Sequence, residues 1–135
     1  SDVCSSDLGE RLIDTDWFAR RLWRLEIDLI ALEQTIFRFV SEVMAGKTLG
    51  AETSLLKARG TEVRQGICDL LSDAAGYYGL PFEQDVFAVE QNETYFGQEY
   101  LVTLAGERYS SRGGSIAGGT AEVQAMVTAK RVLGL

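Results

Sequence analysis

Histidine is absent from the 135 residues. Its absence excludes Ser-His-Asp and Cys-His catalysis, the common zinc and haem ligand sets, and the side chain that titrates nearest neutral pH. Cysteine occurs at Cys4 and Cys68 alone, a spacing that suggests neither a disulfide framework nor a metal site, so a reducing, cytoplasmic compartment is expected. Within Ile67-Cys68-Asp69-Leu70, Cys68 reads as a small buried hydrophobe, because no base is in view to make it a nucleophile. No apolar run approaches the ~20 residues that span a bilayer, and no signal or lipidation motif opens the chain, so no membrane partner is expected. Positive charge is scarce. Thirteen Lys and Arg against 20 Asp and Glu give a net charge of -7, which repels a phosphate backbone and argues against nucleic acid.

What is present fits one globular domain: 46% hydrophobic and 24% charged residues, in a length that buries roughly two thirds of its unfolded surface without staples. The opening Ser1-Asp2-Val3-Cys4-Ser5-Ser6-Asp7-Leu8 has no hydrophobic period. Residues 1–11 are therefore expected to be unstructured or an assembly artefact, with the fold in 12–135. From Asp14 to Ala45 the residues Phe18, Leu22, Leu25, Leu29, Leu32, Ile36, Phe39 and Val43 step by four and three, which predicts a helix of about 30 residues. A second stripe of Trp23, Ile27, Ile30, Phe37 and Met44 widens its apolar arc beyond that of a two-stranded coil, as in a helix packed among several neighbours. Arg20, Arg24, Asp28, Thr35, Arg38 and Glu42 are assigned to the outer face. Asp14 or Asp16 is the expected start cap, and Gly46 the left-handed stop.

After residues 47–50 a second helix should run to about Ala75, burying Leu56, Val63, Ile67, Leu70 and Ala74 and stopping at Gly76. Gly60 and Gly66 lie inside it, each unfavourable by ~1 kcal/mol relative to alanine, which reads either as the close approach of a neighbouring helix or a ligand or as a loosely made helix. Tyr77 to Thr94, with Pro81, reads as a surface loop. A third helix is expected over about Glu99–Arg112 and a fourth over Ala121–Leu133. The alternations at 86–89 and 100–104 are too short to predict strands. From Gln65 to Glu107 there is no Lys or Arg, but there are eight acids, Asp69, Asp73, Glu83, Asp85, Glu90, Glu93, Glu99 and Glu107. Such a block reads either as a solvated face or as one that meets a basic partner surface.

The chemically suggestive stretch is Arg112 to Gln124, between the last two helices. Gly118 and Gly119 permit positive φ and a close approach of backbone to a ligand. Thr120 is placed to cap the fourth helix, whose first N–H groups would then point outward. A P-loop is excluded because no Gly-Lys-Ser/Thr follows the glycines, and Glu122 in the first turn would repel a phosphate. Hydroxyls, amines or a developing oxyanion suit the position better. A glycine-rich connection with a good cap and no ligand is the blander reading of the same residues.

The run Ser115-Ile116-Ala117-Gly118-Gly119-Thr120-Ala121-Glu122-Val123-Gln124, followed by Ala129-Lys130-Arg131-Val132-Leu133-Gly134-Leu135, resembles the C-terminal signature of the acyl-CoA dehydrogenase family. Leu25 to Glu33 and Ser54 to Glu62 are similar to the two long helices of that family's C-terminal bundle, and most like the branch of pimeloyl-CoA dehydrogenase large subunits. The resemblance implies an all-α, up-down helical bundle whose first helix has no counterpart here, preceded in the family by a helical and a β-domain. It implies an FAD-dependent enzyme that removes a proton from the α-carbon of an acyl-CoA and a hydride from the β-carbon. The electrons would pass to an electron-transfer flavoprotein, in a homo- or hetero-oligomer. By the same matching, the Gly118 N–H binds the thioester carbonyl of the substrate, Gly119, Thr120 and Glu122 contact FAD, and Gly76 touches the FAD of a neighbouring subunit.

Two positions depart from the family's pattern. Many members carry the catalytic glutamate where Gly118 stands, and glycine cannot accept a proton; other branches supply the base from an earlier helix, and some two-subunit members have a protomer with no base. No catalytic residue is therefore assigned. Asp14, Asp16, Glu26 and Glu33 read as capping or solvated carboxylates. Near Gly76 the family's glutamine is replaced by Ser72. The chain is thus expected to be the C-terminal part of a dehydrogenase, inactive alone; the alternative is a non-catalytic helical subunit that completes a partner's flavin site or interface.

Overall fold

The structure, a computed structural model, describes residues 11–82 and 101–135. These residues form four α-helices and no β-strand: α1 (Asp16–Met44), α2 (Thr53–Ala75), α3 (Leu104–Gly113) and α4 (Ala121–Arg131), with 3-10 turns at Leu12–Asp14 and Gly76–Gly79. The all-helical expectation holds.

The second helix is the hub, packing against α1, α3 and α4. Arg21 pairs with Asp73, Asp28 lies 3.2 Å from Arg59, and Gly60 lies opposite Leu32, so α1 and α2 run antiparallel. Arg108 on Asp69, Gln65 on the Ser111 carbonyl and Thr61 on the Gly114 carbonyl make α2 and α3 antiparallel as well, giving the up-down order. The buried apolar residues are Val63, Cys68 and Leu70 of α2, Leu101, Val102, Leu104 and Ala105 at and before the start of α3, and Ala19 and Phe39 of α1. Cys68 is buried and free, as its apolar setting predicts. At Gly66 the close approach is real: a Cβ built there would come within 2.5 Å of Leu25 Cδ2.

Several local expectations are corrected. Neither Asp14 nor Asp16 caps α1. Thr15 is the N-cap residue, but its hydroxyl donates back to the Leu12 carbonyl at 2.6 Å and does not cap α1, while Asp14 pairs with Arg11 at 2.9 Å and Asp16 with Arg20 at 2.8 Å. Asp28, Thr35 and Glu42, assigned outward, are half-buried on the stripe with Leu25, Leu32 and Phe39, whereas Leu29, Ile36 and Val43 of the expected seam are exposed. The buried stripe keeps the three-and-four spacing but takes a three where the expected seam takes a four after Leu25, so Asp28, Thr35 and Glu42 stand where Leu29, Ile36 and Val43 were expected, with Asp28 held there by Arg59. Ile67, expected in the core, is exposed. The third helix starts at Leu104, after a buried turn at Leu101 and Val102, and the fourth ends at Arg131 with Val132 as its C-cap. Gly46 does take positive φ, at 80°. Residues 1–10, the acids at 83–99 and Cys4 lie outside the described residues.

Candidate ligand-binding turn

Four polar residues of α2, spaced by four, organise the turn between α3 and α4. Helical residues four apart share a face, so Lys57, Thr61, Gln65 and Asp69 form one ladder along the helix. Asp69 accepts from Arg108 Nε at 3.0 Å and from Arg112. Gln65 Nε2 donates to the Ser111 carbonyl at 3.0 Å, and the Thr61 hydroxyl, which donates to the Lys57 carbonyl at 2.9 Å, lies 3.4 Å from the Gly114 carbonyl. Lys57 Nζ closes the series on the Gly119 carbonyl at 2.6 Å. Burial pushes the Asp69 carboxyl up, but the bonds from Arg112 and Arg108 outweigh it and hold the group below the usual carboxylate range.

The turn itself is closed by backbone bonds. Ala117 N–H donates to the Gly113 carbonyl at 2.8 Å and Ala121 N–H to the Ser115 carbonyl at 3.0 Å. Between them Gly118 (φ 69°) and Gly119 (φ 96°) occupy the left-handed region, the conformation their sequence predicts. Gln124 Nε2 reaches back to the Gly118 carbonyl at 3.1 Å. Thr120 caps α4 as expected, its Oγ1 accepting from Val123 N–H at 3.3 Å. Its own backbone N–H, and those of Gly118 and Gly119, have no protein acceptor among the described residues.

Glu122 lies in the first turn of α4. Its own backbone N–H and the Thr120 hydroxyl, with the charge of Lys57 behind them, lower its pKa despite some desolvation. A carboxylate held ionised in this way is a poor general base near neutral pH. Gly118 is exposed, with open space where a Cβ would be. Gly118, Gly119, Thr120 and Glu122 are therefore brought together as the sequence suggests.

Gly76 is not brought to them. It ends α2 in the left-handed region at φ 56°, as its role as a stop predicts. It lies 19 residues beyond Lys57, on the order of 28 Å along the helix. There it lines an open cleft of about 510 Å³ with Trp17, Arg21, Asp73 and Tyr77. Ser72 lines the same cleft, but its hydroxyl donates to the Cys68 carbonyl at 2.9 Å. Among the described residues no cluster of Cys, Asp and Glu could hold a metal ion, and no helix is long and apolar enough to cross a membrane. The α2 ladder was missed from the sequence; its signal was the run of hydrogen-bonding residues at 57, 61, 65 and 69 opposite the apolar positions.

A helical bundle whose hub helix pins a glycine turn ahead of a capped final helix is the structural class. The family model described as acyl-CoA dehydrogenase, C-terminal domain, matches residues 5–133, and the chain belongs to that family. No curated protein and no solved structure matches it.

Proposed function

We propose that this chain supplies the carbonyl-binding turn of an FAD-dependent acyl-CoA dehydrogenase of the pimeloyl-CoA type. The observation that carries the reading is the set of unpartnered N–H groups at Gly118, Gly119 and Thr120, in a chain of the family whose C-terminal domain it matches. The Gly118 N–H donates to the thioester carbonyl of an acyl-CoA, and so stabilises the negative charge that grows on that oxygen when the α-proton leaves. Gly119, Thr120 and Glu122 face FAD. Gly76, at the far end of α2, serves the FAD of a neighbouring subunit, which agrees with its separation from the turn.

The residues present fit a flavin in their chemistry. Positive-φ glycines give a planar ring close access to backbone, and free amide donors suit its carbonyl oxygens. When bound, FAD supplies the hydride acceptor, with an electron-transfer flavoprotein receiving the electrons. The whole dehydrogenase of which this chain would be the C-terminal part should be yellow when purified and should lose oxidised-flavin absorbance on anaerobic addition of an acyl-CoA. A whole gene product that is flavin-free and does not bind FAD would overturn the reading.

A second reading has its own observation. Gly118 has no carboxylate, and a lowered pKa makes Glu122 a weaker proton acceptor than an ordinary glutamate. In this reading the chain is a non-catalytic subunit that completes a partner's flavin site. Co-purification with a dehydrogenase protomer, and bleaching seen in that complex alone, would select it.

A further inference from the structure

Two carbonyls in the turn are held by side chains from different helices. Lys57 of α2 donates to the Gly119 oxygen at 2.6 Å, and Gln124 of α4 donates to the Gly118 oxygen at 3.1 Å. A trans peptide is planar, so its C=O and N–H point in opposite directions. Holding the Gly118 carbonyl therefore fixes the N–H of Gly119, and holding the Gly119 carbonyl fixes the N–H of Thr120. Both amides are directed away from the side chains that grip their peptide planes, and neither meets a protein acceptor among the described residues. Glycine by itself gives no such definition, because it moves between positive and negative φ at little cost.

The arrangement is tight at one position and open at the other. A Cβ on Gly119 would come within 2.6 Å of Gln124 Nε2, whereas nothing lies within 4 Å of one on Gly118. Gln124 thus closes over Gly119 and leaves the face of Gly118 free. The Glu122 N–H and the Thr120 hydroxyl lower the Glu122 pKa, and the positive charge of Lys57 adds a smaller push in the same direction.

We propose that Lys57 and Gln124 are positioning residues for this turn: they aim the Gly119 and Thr120 amides and thereby set how well the turn receives a carbonyl oxygen of the flavin. The aiming step stands on the geometry alone; the carbonyl-binding step rests on the proposed function. Lys57 touches neither substrate nor cofactor in this account and acts through the peptide it holds.

The test uses Lys57→Met, Lys57→Arg and Gln124→Met in the full chain, each checked for unchanged helix content. In isotope-labelled protein, residual dipolar couplings report the orientation of the Gly119 and Thr120 N–H bonds. Lys57→Met should reorient or disorder Thr120 N–H, Gln124→Met should do so for Gly119 N–H, and Lys57→Arg, which keeps a donor, should restore the native value. Unchanged couplings in both methionine variants would overturn the proposal. In the whole dehydrogenase stripped of flavin, Kd for added FAD should rise about 5–10-fold in Lys57→Met and recover in Lys57→Arg. Displaced amides with an unaltered Kd for FAD would overturn the carbonyl-binding step. If the wild-type protein binds no FAD at all, the proposed function fails while the couplings still decide the aiming step.

Discussion

Replacing Thr120 by alanine removes the hydroxyl that accepts from Val123 N–H, and a lost N-cap of this kind costs ~1 kcal/mol. Thr120→Ala should lower the thermal midpoint and weaken flavin retention together, since one side chain shapes both the cap and the turn. At the neighbouring glycines the two alanine variants should differ. Each pays ~1–2 kcal/mol for a side chain at positive φ, but at Gly119 the new Cβ also collides with Gln124. Gly119→Ala is therefore expected to melt lower than Gly118→Ala, and equal midpoints would argue against the Gln124 contact. Gly118→Val should leave most of the fold in place while crowding the thioester. Full acyl-CoA turnover in the flavin-loaded variant would remove Gly118 as the donor. Asp69, 26% exposed and bound by two arginines, should cost about 1–3 kcal/mol as Asp69→Asn near neutral pH. Because its folded pKa is depressed, its contribution is complete above the unfolded carboxylate range, near pH 4, and is lost as pH falls below that range toward the folded value. Urea midpoints for wild type and Asp69→Asn should therefore converge in acid; a gap independent of pH would refute the pairing as the cause.

Within α2, Gly60 and Gly66 share a helix interior but face different neighbours. A Cβ on Gly60 would rest 3.8 Å from Leu32 Cδ2, an ordinary contact, so Gly60→Ala should gain most of the ~1 kcal/mol difference in helix propensity. At Gly66 the same atom would lie 2.5 Å from Leu25 Cδ2, and moving Leu25 off its rotamer costs ~0.5–1.5 kcal/mol, which cancels the gain. Thermal melts should rise for Gly60→Ala and stay level or fall for Gly66→Ala. A rise of the same size in both would show that α1 does not press on α2 at Gly66. These positions also mark what could be read from sequence. Helix existence, the stops at Gly46 and Gly76 and the Thr120 cap were legible because each depends on local backbone preference. Which side of α1 faces α2 was not, because Asp28, Thr35 and Glu42 are hydrophilic and still lie on the contact stripe, with Asp28 held by Arg59. In the same way, Gly118, Gly119, Thr120 and Glu122 are candidates on their run in the chain alone, while Lys57, 62 residues from the carbonyl it holds, needed the antiparallel pairing of helices to bring it there.

At the scale of the molecule, the described helices leave a long apolar face uncovered on α1. Trp23 is 55% exposed, Ile27 67% and Met44 83%, with Ile30 and Phe37 on the same stripe. A contiguous surface of this kind marks association or, when left bare, aggregation. The chain alone should bind a hydrophobic dye and should form larger species as concentration rises. Its net charge of -7 opposes that association at low ionic strength. Salt shortens the screening length to ~8 Å at physiological strength and ~3 Å at 1 M, so added salt should promote assembly rather than dissolve it. Replacing Ile27 and Phe37 with lysine and glutamate should reduce both dye binding and assembly. Because these side chains are already in water, each change should alter the stability of the separate chain by no more than about 0.5 kcal/mol. Sedimentation across a concentration and salt series checks the argument. A wild-type chain that stays monomeric and dye-free throughout would mean that the α1 face is not bare in solution. A double variant that loses helix content would mean that the face is part of the core, because a solvent-facing stripe can change its chemistry without loosening the helix that carries it.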